Sequence, residues 1–455
     1  MDDNKQAVWQ GEIQLWRKLL KIAVPLMAAD SINSILWLTD TYFVGRLGDY
    51  AVEGIGIGGY LTWLAYTLAS PLYVGSLVLT AQAYGSGDKK KAERIIGEGV
   101  TLALLLAVPL LLVLKVLTPP LVGLIAGPRV SVSAKVAAVS YFNARIVGLP
   151  FLYTAIVLDS AYRGAGITRP VFHGTLLFSV VNAVLDPILI YGLFGLPRMG
   201  VSGAGLASAI SVTIYTIYLL LLLKKSTGIA PKLYLPRAYA GRYIKLGAPA
   251  LAERIGTVIG FLPYTGAIAR CGDRALAAHT IGLRIESLAF LPLFSLGEAT
   301  ASIVGQKIGA GKIEEAGKAA SSSARLALIV GSIIGVFLAA ASTVLPRPFT
   351  RDPATLRLAS IYLALAGASE PLLAGSVALL MSIRAGGETR VPMIVTLSTI
   401  YTFRVALAIL LIGRVCGFYC PITLWSLMVM EVSSRFLLSL LLFKIKFYRY
   451  AKKIV

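Results

Sequence analysis

The sequence predicts an all-α integral membrane protein of about twelve transmembrane helices, arranged as two six-helix lobes from a parallel internal duplication. Three observations carry that prediction. Of 455 residues, 57% are hydrophobic and only 14% charged, and the mean hydropathy of +0.77 lies outside the range of a soluble domain of this length. Apolar runs of about 20 residues, enough to cross a bilayer core, recur along the chain without the alternating pattern of barrel strands. The chain also resembles itself at an offset of 224 residues, the distance from Pro25 to Pro249.

The first apolar run, 20–45, follows an amphipathic stretch in which Trp9, Ile13, Trp16 and Leu20 share a helix face, as in an interfacial helix. These polar or amphipathic first residues predict no cleavable signal peptide. The run carries Asp30 and Asp40. A carboxylate inside a spanning helix costs roughly 2.5–3.5 kcal/mol on insertion scales, so it should face a cavity or a partner rather than lipid. Pro25 lacks an N–H and crowds the carbonyl four residues back, so a bend or local break is expected there. The second run, 54–84, is longer than a bilayer core is thick and must tilt, kink near Pro71 or protrude. Its Gly54, Gly56 and Gly59 satisfy GxGxxG with no strand before them, so close helix packing is expected rather than dinucleotide binding.

Runs at 97–125 and 136–158 lead to a fifth, 170–193, containing NAVLDPILI. Asn182 and Asp186 stand four residues apart there, on one helix face, and Pro187 should free the carbonyl of Ala183 beside them. A sixth run, 200–223, ends the expected N-terminal lobe, 1–223, and the basic, Pro- and Gly-containing segment 224–245 is the expected cytoplasmic linker. The C-terminal lobe, 246–455, supplies runs at 246–269, 275–305, 326–346, 358–381, 391–413 and 418–441. It mixes acids and bases: Glu253, Arg254, Arg284, Glu286, Glu298, Glu370 and Arg404. Such a mixture predicts structural bridges rather than a cation site. His279 and His173 are expected to be structural, His279 through a hydrogen bond. Cys271, Cys416 and Cys420, all on outer loops or outer span ends if both termini are cytoplasmic, form no metal signature and are expected to be free, a disulfide between two of them being the alternative.

The net charge of +21 does not indicate nucleic acid, because the basic residues alternate with the loops. With both termini in the cytoplasm, about 27 Lys and Arg fall inside against about 11 outside, as the positive-inside rule asks. A cell-membrane protein with both termini cytoplasmic is therefore expected. No phosphate-binding loop, HExxH or CxxC pair is present, so neither ATP-driven pumping nor metalloenzyme chemistry is supported.

The 224-residue offset aligns Arg46, Gly48 and Asp49 with Arg270, Gly272 and Asp273, then AQAYGSGDKKKAE from Ala81 with GQKIGAGKIEEAG from Gly305. RGAGITRP from Arg163 meets RAGGETRVP from Arg384 at an offset of 221. The same offsets place Tyr264 opposite Asp40, Phe403 opposite Asn182 and Leu407 opposite Asp186. The acidic positions thus belong to the N-terminal lobe alone. A carboxylate, an amide oxygen and a loose carbonyl are hard ligands suited to Na⁺ or a proton, and two acids in one poorly hydrated cavity titrate as a coupled pair.

RGAGITRP before NAVLDPILI, then GVSGAGLAS, and ALAAHTIGLRIESLAF in the second half resemble the multidrug and toxic compound extrusion (MATE) transporters, in particular their DinF-like branch with archaeal members. The resemblance spans nearly the whole chain. It implies a non-enzymatic antiporter, without a cofactor, that exports organic cations or other amphipathic small molecules by alternating access, driven by Na⁺ or H⁺. It also implies a cation site of Asp40, Asn182, Asp186 and Ser208, the last standing where the archaeal pattern has threonine. The implied substrate cavity holds Tyr141, Asp159, Asn33 and Trp37, with Asp159 an acid not expected there, and Pro25 is the implied hinge. The partners expected are these substrates and membrane lipid, with no nucleic acid, for a monomeric chain. The competing class is a lipid or lipid-linked oligosaccharide flippase, disfavoured by the helix number and the acidic N-terminal lobe.

Overall fold

The computed structural model describes residues 2–412 and 419–455, the side chains of residues 2–9, 35, 37 and 38 excepted. Among the described residues every regular element is helical. The first half runs α1 Asp2–Gly45, α2 Asp49–Leu68, α3 Ser70–Gly85, α4 Lys89–Ala126, α5 Val132–Arg145, α6 Leu149–Ala165, α7 Arg169–Tyr191 and α8 Val201–Thr227. The second runs α9 Ala240–Arg270, α10 Asp273–Gly309, α11 Ile313–Ala340, α12 Pro353–Ala385, α13 Arg390–Thr399, a π-helical stretch Ile400–Leu407, α14 Ala408–Leu411 and α15 Tyr419–Tyr450.

Several helices outrun the apolar segments that announce them: α4 begins at Lys89, two turns before the apolar run expected from 97. Counting α2–α3, α5–α6 and α13–α14 as one each, 11 helices among the described residues are long and apolar enough to cross a membrane. The seventh expected span lies in α9, which carries Arg242, Lys245, Glu253, Arg254 and Arg270 and is absent from those 11.

Proline acts differently in different helices. The long second run breaks at Ala69, between α2 and α3, with Pro71 in the first turn of α3, where its missing N–H is harmless. In contrast, α1 continues through Pro25 and α7 through Pro187, so the local break expected at Pro25 is not present. Glycine sets the connections. Gly48 and Gly272 precede α2 and α10 at φ 121° and 110°, Gly87 and Gly311 precede α4 and α11 at 75° and 77°, and Gly166 and Gly387 follow α6 and α12 at 73° and 88°. Each pair is one the repeat aligns, and L side chains rarely adopt such φ values. Beyond Gly87, Asp88 caps α4, and the N–H of Lys91 holds its carboxyl below the usual carboxylate range.

The chain forms two compact units, Pro25–Ala248 and Met1–Val24 with Pro249–Val455. The divisions fall at Pro25 and Pro249, the prolines aligned by the repeat, rather than at 223 and 246. In the second unit, Trp16 donates from Nε1 to Ser322 Oγ at 3.0 Å, and Glu12 accepts from the Ser322 hydroxyl and from Arg325 Nε. The core of that unit is built around Tyr264, Tyr362, Trp425 and Met428. In the first unit, residues 228–239 are tied to α4 rather than loose. Glu98, fully buried, accepts from the N–H groups of Ala238 and Tyr239 at 3.2 and 2.8 Å.

Cys271 and Cys420 are joined in a disulfide, Cα to Cα 5.6 Å, linking the end of α9 to the start of α15. This corrects the expectation of free thiols. The pair is 149 residues apart, and no sequence spacing signals that those helix ends meet. Cys416 lies outside the described residues.

Candidate functional site

The first unit gathers its polar residues where α1, α5, α7 and α8 converge, and glycine makes the convergence possible. A Cβ on Gly203 would stand 2.7 Å from the Leu189 carbonyl carbon, and one on Gly205 would stand 2.3 Å from the Tyr141 carbonyl oxygen. Backbone therefore meets backbone between α8 and its neighbours α7 and α5. On α2, Gly54 and Gly58 admit Ala137 and Tyr141 of α5 in the same way.

Asp186 and Asn182 on α7 are fully buried, and Asp40 on α1 and Ser208 on α8 are nearly so. With its amide nitrogen turned towards Asp40, Asn182 donates to Asp40 Oδ1 at 2.8 Å, and its oxygen accepts from the Ser208 N–H at 3.2 Å. Asp40 and Asp186 lie close enough for each carboxyl to act on the other, and Arg145 acts on both. Neither Asp186 oxygen has a hydrogen-bond partner among the described residues. The structure thus brings Asp40, Asn182, Asp186 and Ser208 into one cluster.

A residue that the sequence reading overlooked completes the cluster. Arg145, the last residue of α5, donates from Nη1 to Tyr141 Oη and to Ser208 Oγ, both at 2.7 Å. Tyr141, expected in the substrate cavity, is therefore tied to the acidic cluster. The signal for Arg145 was present in the sequence: a basic residue within an apolar run, four after Tyr141 and so on its helix face. Among the described residues, the charged groups acting on Asp40 and Asp186 are each other and Arg145. Two carboxylates and one guanidinium leave one negative charge in excess when both acids are ionised, and a buried excess charge calls for a counter-cation.

Of the other expected cavity residues, neither Asp159 nor Asn33 makes a hydrogen bond or ion pair to this cluster among the described residues. Asp159 pairs with Arg163, one turn on, at 2.8 Å, and Arg163 also reaches Asp30 at 3.6 Å. Asp159 thus shares one guanidinium with Asp30, and both carboxylates are partly exposed, unlike Asp40 and Asp186. Asn33 is exposed, and the side chain of Trp37 lies outside the described residues.

The second unit carries its charges differently. Glu253 meets Arg384 at 2.6 Å and accepts from Thr396 at 3.0 Å. Its partner is not its neighbour Arg254, which is exposed, as is Arg284. Glu431 bridges Arg404, at 3.1 Å, and Arg435. Glu286 accepts from Tyr362 Oη, while the fully buried Glu370 has no hydrogen-bond partner among the described residues. His279 packs edge-on to Tyr264 and Tyr362, with ring centroids at 5.9 and 5.3 Å, and its Nδ1 has no partner, so aromatic contacts hold it rather than the expected hydrogen bond. His173 is exposed. Tyr264, opposite Asp40 in the repeat, is buried and donates to the Leu424 carbonyl at 2.8 Å. Among the described residues, no group of three His, Cys, Asp or Glu is arranged to hold a metal ion.

The sequence profile of the MatE family matches twice, over residues 25–188 and 249–410. The chain is 26% identical to the probable multidrug resistance protein NorM of Thermotoga maritima over 405 residues, 88% of this chain and 86% of that one. Two crystal structures of a MATE protein share its fold at 20% identity. The one in the bent conformation superposes with a TM-score of 0.86, covering 96% of this chain and 98% of that one. The one in the straight conformation gives 0.85, covering 95% and 96%. With the profile taking in most of both halves and each copy starting at an aligned proline, the chain belongs to the MatE family of multi-span membrane transporters.

Proposed function

We propose that this transporter is a secondary active antiporter of the cell membrane, exporting amphipathic organic cations by alternating access in exchange for a small cation that loads Asp40 and Asp186. The observation that carries the reading is the buried cluster with one negative charge in excess, which one cation neutralises. The multidrug resistance named for the Thermotoga relative supports the substrate class. Two lobes from a parallel duplication fit the double profile match and the paired glycine conformations. RGAGITRP and NAVLDPILI support placement in the DinF-like branch. Cytoplasmic termini would put the Cys271–Cys420 disulfide on the outer side, where oxidation is favoured. No cofactor is required, and a single chain carries the whole set of groups. Pro25 would serve as the hinge of α1, since one compact unit ends and the other begins there.

Purified protein in liposomes loaded with ethidium, under separate H⁺ and Na⁺ gradients, tests the reading. Dye export should follow one of the two gradients and stop when an ionophore collapses it. Export indifferent to both gradients, or no export under either, contradicts coupled antiport.

A further inference from the structure

Coordination of Na⁺ by this cluster needs oxygen atoms that are free to accept, since hard cations are held by a cage of oxygen ligands. Two of the four expected ligands already accept a hydrogen bond, one of them from a cation, which leaves each a single lone pair for a metal. The Ser208 hydroxyl accepts from Arg145 at 2.7 Å. The Asn182 oxygen accepts from the Ser208 N–H at 3.2 Å, and its nitrogen faces Asp40 at 2.8 Å. A metal ion bound to Ser208 Oγ at about 2.4 Å would stand within roughly 5 Å of the Arg145 guanidinium, a like charge that the protein cannot titrate away. Tyr141, the other group on Arg145, fixes the guanidinium from within its own helix. A proton makes neither demand: it needs one carboxylate oxygen, and both oxygens of the fully buried Asp186 lack a hydrogen-bond partner among the described residues.

We propose that Arg145 is the ion-selectivity residue of the cluster: its guanidinium holds the hydroxyl and the position that a sodium ion would need, leaving a proton as the single cation that loads. This rests on the coupling role given above to Asp40 and Asp186. The charged and polar groups involved are Asp40 on α1, Tyr141 and Arg145 on α5, Asn182 and Asp186 on α7 and Ser208 on α8.

Equilibrium binding of ²²Na⁺ to the purified full chain tests it without relying on transport. The wild type should show no saturable binding, and Arg145→Lys, which keeps the charge, should show none either. Arg145→Gln should bind Na⁺ roughly 300-fold more tightly, the factor for removing a unit charge about 5 Å away at an effective dielectric constant near 20. That binding should vanish in the Arg145→Gln, Asp186→Asn double variant. Arg145→Met serves where Arg145→Gln does not fold, as judged by melting. Saturable Na⁺ binding by the wild type that depends on Asp186, or a folded Arg145→Gln that gains none, overturns the proposal. Unimpaired gradient-driven export by Asp186→Asn would instead overturn the coupling role, so the two failures are distinguishable.

Discussion

Glu253 and Arg384 form a cross-helix pair between α9 and α12, with side-chain exposures of 18% and 13%. Glu253→Gln would leave a largely buried guanidinium without its counter-charge. Breaking fully buried pairs costs 3–5 kcal/mol, and the solvent access remaining here reduces the expected loss to about 1–3 kcal/mol. Melting in detergent should fall accordingly while gradient-dependent export persists; normal melting with lost ion dependence would move the coupling role to the second unit. Which residues share a site was legible in part. Asp40, Asn182 and Asp186 were visible because acids and amides stand out in apolar runs, and Ser208 through the resemblance. Arg145, Arg163 and Arg435 each stand four residues after a polar partner, so they too were open to a reading by helix face. The pairing of Glu253 with Arg384 was not, because it joins positions 131 apart in sequence, and the adjacent Arg254 offered a misleading alternative.

Among the elements, α8 depends most on small residues. Gly205 brings α5 and α8 close enough for Arg145 to reach Ser208, and a Cβ there would collide with the Tyr141 backbone, which cannot swing aside as a side chain can. Gly205→Ala should therefore destabilise the first unit by about 1–3 kcal/mol, the usual cost of overpacking, and slow export. Gly56→Ala, whose Cβ would meet nothing within 4 Å, is the control for altered helix propensity. Equal melting and equal export in the two variants would show that the close approach does not build the site. At this scale the chain was read well where proline and glycine punctuate it, as at Ala69 just before Pro71. Continuity through Pro25 and Pro187 was harder to foresee, since neighbouring helices and local adjustment can offset a missing backbone hydrogen bond in a membrane. The attachment of residues 228–239 to Glu98 was also invisible, because a basic, Pro-containing stretch reads as a linker unless its acceptor is known.

For the whole molecule, the decisive feature is that two similar halves are chemically unequal. Glycine conformations and proline positions recur at the repeat offsets, yet Asp40, Asn182 and Asp186 face Tyr264, Phe403 and Leu407 in the alignment. Two of those replacements, Phe403 and Leu407, fall in the π-helical stretch of the second unit, whereas α7 has no such stretch in the first. The central claim is that coupling resides in the first unit. Export of a cationic dye from proteoliposomes under the coupling gradient, compared among wild type, Asp186→Asn and Glu370→Gln, tests it most directly. The account predicts that Asp186→Asn abolishes gradient-driven export while melting normally, and that Glu370→Gln keeps its dependence on the gradient. Gradient-driven export retained by Asp186→Asn, or lost in a normally melting Glu370→Gln, would contradict it.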